Sequence, residues 1–229
     1  MGKERIIVFT GAGISAESGL GTFRDNGGLW EKYNIEEVAT PEAWNKNPKM
    51  VTDFYNMRRK QCYEASPNAA HYAIAELENK YEVEVITQNV DNLHERSGST
   101  NVLHLHGELN KVKSSGPNAE KTILKQDNWE VKMGDLCPEG YQLRPHVVWF
   151  GEAVPMLDKA VQHIKNADIV IVIGTSLNVY PAAGIIEYAP VDASYYLIDP
   201  NEVHVPSYFN VIQETATKGV VQLVNQLLA

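Results

Sequence analysis

The chain has 229 residues, long enough for one sizeable core with a smaller appended lobe. Hydrophobic residues make up 44% and charged residues 21%, an ordinary globular balance, and no apolar stretch approaches the ~20 residues that a membrane helix needs. Lys and Arg total 20 against 29 Asp and Glu, a formal charge of −9, which argues against a nucleic-acid face but leaves room for an anionic small ligand held by backbone N–H groups.

The first residues, Met1-Gly2-Lys3-Glu4-Arg5, show no charged-then-apolar leader and run straight into a strand-like stretch, RIIVF at residues 5–9. Further short runs of β-branched or aromatic residues follow at 83–86 (VEVI), 168–173 (DIVIVI) and 195–198 (YYLI). Continuous apolar runs of this length read as strands buried on both faces, as in a parallel sheet. Between them, residues 68–80 (NAAHYAIAELENK), 156–166 (MLDKAVQHIKN) and 218–228 place apolar side chains at helical spacing. Strand–helix alternation predicts an α/β fold, a Rossmann-like open parallel sheet with helices on both faces. Residues 22–67 and 107–143 break this rhythm and are expected to form a smaller second lobe from two insertions. The predicted division is 1–23, 68–105 and 144–229 for the sheet domain, and 24–67 with 106–143 for the small lobe. Cys62 and Cys137 are the only cysteines, too few for a disulfide framework, and a cytoplasmic monomer is expected.

A glycine-rich turn follows the first strand. Gly11, Gly13 and Ala16 satisfy the G-x-G-x-x-G/A spacing: a tight turn, close backbone approach to a pyrophosphate, and close helix packing. The usual acidic residue ending a second strand about twenty residues on is missing. Asp25 falls instead in a Gly/Asn-rich loop, which favours a nucleotide-binding crossover over a hydride-transfer enzyme.

Further motifs follow in order: GAGISAESGL at 11–20 with Thr22-Phe23-Arg24-Asp25, QNVDNLH at 88–94, His106-Gly107, RPHVVWFGE at 144–152, and Gly174-Thr175-Ser176-Leu177. Together they resemble the sirtuins, the NAD-dependent protein lysine deacylases, over residues 6 to about 217. The resemblance implies that Gly11, Ala12, Gly13, Ala16, Phe23, Arg24, Gln88, Asn89, Asp91, Gly174, Thr175 and Ser176 bind NAD. His106 is then the general base and Asn89 a catalytic partner that orients the ribose and a water. It also implies that Val148, Phe150, Gly151 and Val179 border an acyl-lysine peptide, which adds as a strand. Nicotinamide, free lysine and O-acyl-ADP-ribose would be the products. Asp199 stands where the family carries Asn at the adenosine ribose, and Ala216 falls in the last adenine-side loop.

Bland alternatives compete at each place. His104 is a rival to His106 on the same strand face. Asn89 and Asp91 can make a strand-end turn, residues 174–176 a plain βα turn, and residues 147–151 a core strand. At 54–59 the stretch FYNMRR puts Tyr55 and Arg58 at i, i+3 on one helix face. A phenol and a guanidinium suit a carboxylate, and the pair resembles the sirtuins that remove succinyl, malonyl or glutaryl groups. Acetyl is expected as a second substrate.

Most sirtuins hold a structural zinc with four cysteines, a tetrahedral site. Here the first pair is replaced by Lys113-Ser114-Ser115-Gly116-Pro117 and only Cys137 remains of the second, so no metal is expected. The lobe is expected to be held by packing of Ile123, Leu124, Trp129, Val131 and Leu136. Two other readings stand beside deacylation: an ADP-ribosyltransferase or NAD hydrolase, and a non-catalytic NAD or ADP-ribose-binding module.

Overall fold

The computed structural model describes residues 2–22 and 33–229. In chain order it runs β1 (Arg5–Thr10), α1 (Gly13–Ala16), α2 (Ile35–Val38), α3 (Pro41–Lys46), α4 (Pro48–Glu64), α5 (Ala69–Glu76) and β2 (Glu82–Thr87). Then come α6 (Leu93–Arg96), β3 (Val102–His104), β4 (Gly107–Ser114), β5 (Ile123–Lys125) and β6 (Leu143–Val147). The chain closes with α7 (Leu157–Ile164), β7 (Ile169–Ile173), a 3₁₀ segment (Ala182–Tyr188), β8 (Ser194–Ile198), β9 (Phe209–Ile212) and α8 (Ala216–Leu228).

Six strands form one parallel sheet in the order β3-β2-β1-β7-β8-β9. Ile6, Ile7, Val8 and Phe9 are all fully buried because both faces of β1 are covered. Ile6 and Val8 pack on one side with Ala70 and Ile74 of α5 and Val220 and Leu223 of α8. Ile7 and Phe9 pack on the other with Ala160 and Ile164 of α7 and with Ala182 and Ile185. The two-residue period of a strand thus feeds two separate cores, which is why the run shows no polar alternation. Beyond the four expected strands, β3 and β9 complete the sheet at its two edges. They are three and four residues long, and Asn210 and Val211 are exposed, so neither produces an apolar run.

A second sheet, antiparallel and in the order β5-β4-β6, belongs to the small lobe. β6 belongs to this sheet and runs across the boundary expected at 143/144. Above it lies α4, started by Pro48 and capped by the Asn47 side chain, which accepts from the Met50 amide at 3.1 Å.

The packing expected in this lobe is corrected. Ile123, Leu124 and Leu136 are 39%, 39% and 56% exposed, and of the predicted set only Val131 is fully buried. β5 is an edge strand whose three residues all face solvent. Polar side chains of α4 grip the lobe instead. Asn56 donates to the Val131 carbonyl at 2.8 Å and accepts from the Val131 amide at 2.9 Å. Arg59 donates to the Leu109 carbonyl at 2.7 Å and to Asn56 at 2.8 Å. Buried side chains that satisfy backbone groups reciprocally fix a short segment as firmly as apolar contacts do. Among the described residues, no group of three or more His, Cys, Asp or Glu is placed to hold a metal ion, and no helix is long and apolar enough to cross a membrane.

Candidate active site

The four central strands deliver their carboxyl ends to one cleft of about 500 Å³. Gly11 follows β1, Gln88 follows β2, Gly174 follows β7 and Asp199 follows β8, and all four line it. The chain leaves β1 toward β2 and β3 on one side, then returns through β7 to β8 and β9 on the other. β1 and β7 therefore flank a topological switch point, where open α/β sheets bind ligands.

The glycine turn closes on the loop after β7. Gly11 donates to the Ile173 carbonyl at 3.0 Å, and Gly13 to the Gly174 carbonyl at 2.9 Å. A Cβ on Gly13 would lie 2.6 Å from the Gly174 Cα, and Gly174 itself has φ +61°. Only a pair of glycines allows this contact, and backbone atoms rather than side chains form that wall of the cleft.

Gln88 and Asn89 lie at the floor. The Gln88 amide side chain donates to the Thr175 hydroxyl at 3.1 Å, tying β2 to β7 across β1. Asn89 donates its side-chain N–H to the Gly11 carbonyl at 3.0 Å. His106 lies just past β3 and lines the cleft, and its Nδ1 sits 3.0 Å from the Gln88 carbonyl oxygen. A carbonyl oxygen only accepts, so Nδ1 carries the proton and Nε2 of the neutral ring keeps a free lone pair. Burial holds the His106 pKa below its ordinary value, and the Gln88 carbonyl partly opposes this. The next residue, Gly107, has φ +80°, and a Cβ there would collide with the His146 carbonyl. His104 is a rival no longer. It ends β3, is buried away from the cleft, and bonds to the Asn89 carbonyl and to Glu95 at 2.8 Å each.

Tyr55 and Arg58 of α4 line the same cleft, and both are buried. Phe54 and Leu109 line the cleft beside them, and the Phe54 ring meets Tyr55 edge-on at 5.0 Å. Burial pushes the Tyr55 phenol up to about 12, so its O–H stays a donor. Burial lowers the Arg58 pKa, opposed by Cys62, Tyr55 and Asp91. Arg58 is the one Lys or Arg among the described residues lining the cleft.

The turn carrying Val148, Phe150 and Gly151 lines the cleft as well. It is not a continued strand, since β6 stops at Val147. Its amides are used internally: Val148 donates to the His106 carbonyl, Trp149 to the Glu152 carboxylate and Phe150 to the Ala39 carbonyl, at 2.9, 2.8 and 3.0 Å. Arg144 braces the turn with a forked pair of hydrogen bonds to Glu152 at 2.9 and 3.0 Å, its guanidinium lying 3.3 Å above the Trp149 ring.

The structure therefore brings Gly11, Ala12, Gly13, Ala16, Gln88, Asn89, His106, Gly174, Thr175, Ser176, Asp199 and Ala216 to one cavity with Tyr55, Arg58, Val148, Phe150, Gly151 and Val179. Asp91 stands just behind the wall. It is buried and accepts from the Ser15 hydroxyl and the Leu93 amide, both at 3.1 Å, while burial raises its pKa. Phe23 and Arg24 lie outside the described residues. Tyr180, in the loop expected to flank the peptide, also lines the cleft, whereas sequence reasoning missed Leu109, Glu202 and Glu17. Glu17 had a legible place inside the glycine motif, where it accepts from the Thr217 amide at the start of α8 at 2.9 Å; the other two carry no local signal.

Residues 11–181 match the Sir2 family. The chain belongs to the Sir2 family. It is 54% identical over 231 residues, covering 98% of both chains, to the NAD-dependent protein deacylase of Bacteroides thetaiotaomicron. It is 50% identical over 229 residues, again covering 98% of both, to the NAD-dependent protein deacylase of Helicobacter pylori. Among solved structures, a Sir2 homologue mutant in complex with ADP ribose superposes with a TM-score of 0.91 at 38% identity, covering 99% of this chain and 92% of that one. The Sir2 match contains the glycine turn, Gln88 to Asp91, His106 and the braced turn. Asp199 and Ala216 lie beyond it, though within the fold shared with Sir2 structures.

Proposed function

We propose that this chain is an NAD-dependent protein-lysine deacylase that prefers acidic acyl groups such as succinyl and malonyl, with acetyl as a second substrate. The observation that carries the reading is a single cleft lined by a glycine turn, a histidine base and a buried Tyr55–Arg58 pair. Relatives at about half identity named as NAD-dependent protein deacylases support it.

NAD fits as a consumed co-substrate: it supplies the ADP-ribosyl group that takes the acyl group, with nicotinamide leaving. Gly11, Ala12, Gly13, Ala16, Gly174, Thr175 and Ser176 hold its phosphates and inner ribose, largely through backbone groups. Asp199 accepts hydroxyls of the adenosine ribose, and Ala216 borders the adenine. Gln88 and Asn89 orient the reacting ribose, and Asp91 fixes the loop that faces the nicotinamide. His106 takes a proton from a ribose hydroxyl at Nε2. Tyr55 and Arg58 hold the acyl carboxylate, while Val148, Phe150, Gly151 and Val179 border the peptide. Phe23 and Arg24 belong to the same cofactor set. The six-stranded sheet with its helices thus serves NAD, and the small lobe serves the acyl group. With two cysteines in the whole chain, no structural zinc is part of this reading.

Succinyl-, malonyl- and acetyl-lysine peptides of one sequence, each with and without NAD, test the preference. Succinyl or malonyl turnover at least about tenfold above acetyl is expected from one charge-assisted pairing. Equal turnover of all three would remove the acidic-acyl reading.

The pH dependence follows from His106. A general base works only when neutral, so kcat/KM rises as pH climbs through its folded pKa and is flat above it. Burial places that pKa below the ordinary value of about 6.5, so the acid limb should bend below about pH 6.5. A limb bending above pH 7 would contradict this environment for the base.

A further inference from the structure

Two histidines, one at the end of β3 and one two residues beyond it, reach the same short segment after β2. His106 binds the Gln88 carbonyl at 3.0 Å, and His104 binds the next carbonyl, that of Asn89, at 2.8 Å. The Asn89 amide is held in turn by the Thr87 hydroxyl at 3.0 Å, and that hydroxyl accepts from Thr10 at 2.8 Å. Both peptide groups around Asn89 are therefore clamped, and the floor of the cleft has little freedom left.

His104 faces an acceptor on each side. The Asn89 carbonyl takes its Nδ1–H, and the Glu95 carboxylate of α6 lies 2.8 Å from Nε2. Burial alone would lower its pKa, but the Glu95 carboxylate and the Asn89 carbonyl outweigh it and raise it above the ordinary value. A ring held at both nitrogens, by a backbone carbonyl and by a carboxylate, is a stiff strut. It does not line the cleft.

We infer that His104, aimed by Glu95, is a positioning residue that sets the Gln88–Asn89 segment and, through the Gln88 carbonyl, the ring of His106. The inference rests on the deacylase reading and deepens it. Asn89 donates to Gly11 from one end of this segment, and His106 hangs from the other. Tilting the Asn89 peptide would displace both reacting groups together, and small misplacements of reacting groups are costly in rate.

Two substitutions separate positioning from mere packing. In His104→Asn the side-chain amide stands where Nδ1 stood and can still donate to the Asn89 carbonyl. In His104→Gln it stands where Nε2 stood and reaches only Glu95. His104→Gln is expected to lower kcat about tenfold with KM for NAD and peptide unchanged, while His104→Asn stays within about threefold of the parent. Melting temperature and calorimetric ADP-ribose binding accompany both. Equal losses in the two variants, kcat tracking melting temperature, or full activity in His104→Gln would overturn the inference. If His104→Gln does not fold, Glu95→Leu at the half-exposed end of the pair reads the same effect, a kcat loss of about threefold at constant KM, and unchanged kcat there would sink it. A parent enzyme that fails to deacylate any peptide would instead refute the functional reading itself.

Discussion

Replacing His106 by Tyr is expected to lower kcat/KM by about two to four orders of magnitude on every acyl-lysine peptide, the usual worth of a general base. The loss should be the same for acidic and neutral acyl groups, because in this reading His106 acts on the sugar while Tyr55 and Arg58 hold the acyl carboxylate. Its Nδ1 is committed to the Gln88 carbonyl, so only Nε2 is available to take a proton. A phenol at this position has a pKa near 10 and holds its proton at neutral pH. ADP-ribose binding, read by calorimetry, should survive within a few-fold, since the glycine turn and Asp199 are untouched. Turnover equal to the parent would remove His106 from the mechanism.

Arg58→Met carries the second large effect, and its signature is selectivity. Met keeps the length of the side chain and deletes the charge, in a site where Arg58 is 6% exposed. Charge-assisted hydrogen bonds are worth ~1.5–3 kcal/mol each, so kcat/KM for succinyl- and malonyl-lysine should fall about 10- to 100-fold. Acetyl-lysine has no carboxylate to lose and should be turned over at or above the parent rate. Equal losses on acetyl and succinyl peptides would show that Tyr55 and Arg58 do not read the acyl group. The comparison is internal to one variant, so altered stability or cofactor affinity cancels from it.

The sheet was legible where the physics was local. β1 and β7 are buried on both faces, so their residues had to be apolar without alternation; β2 and β8 stood out as β-branched or aromatic runs, β2 despite a buried Glu84 that pairs with His163. β3 and β9 pair along one side only and are too short to carry a pattern; His104 even occupies the last position of β3. The cleft residues were legible through motifs rather than through hydropathy. Gly13 is recognisable because no side chain fits against Gly174, and His106 because Gly107 after it must take a positive φ. The small lobe was misread for a physical reason. Apolar residues were assumed to hold it, but Ile123, Leu124 and Leu136 face solvent while Asn56 and Arg59 grip backbone groups across 50 to 75 residues of sequence. Long-range side-chain-to-backbone bonds of that kind leave no periodic trace. The two histidines at 104 and 106 share a strand face and lie two residues apart; the Gly107 that follows favoured His106, and the two end in different surroundings.

The most direct test of the account counts products. With NAD and a succinyl-lysine peptide, one nicotinamide should be released for each lysine uncovered, and mass spectrometry should find the succinyl group on ADP-ribose. Without peptide, nicotinamide release should fall to background. Nicotinamide released at the same rate whether or not peptide is present, or lysine uncovered without NAD, would contradict the claim that dinucleotide and acylated side chain react in this one cleft.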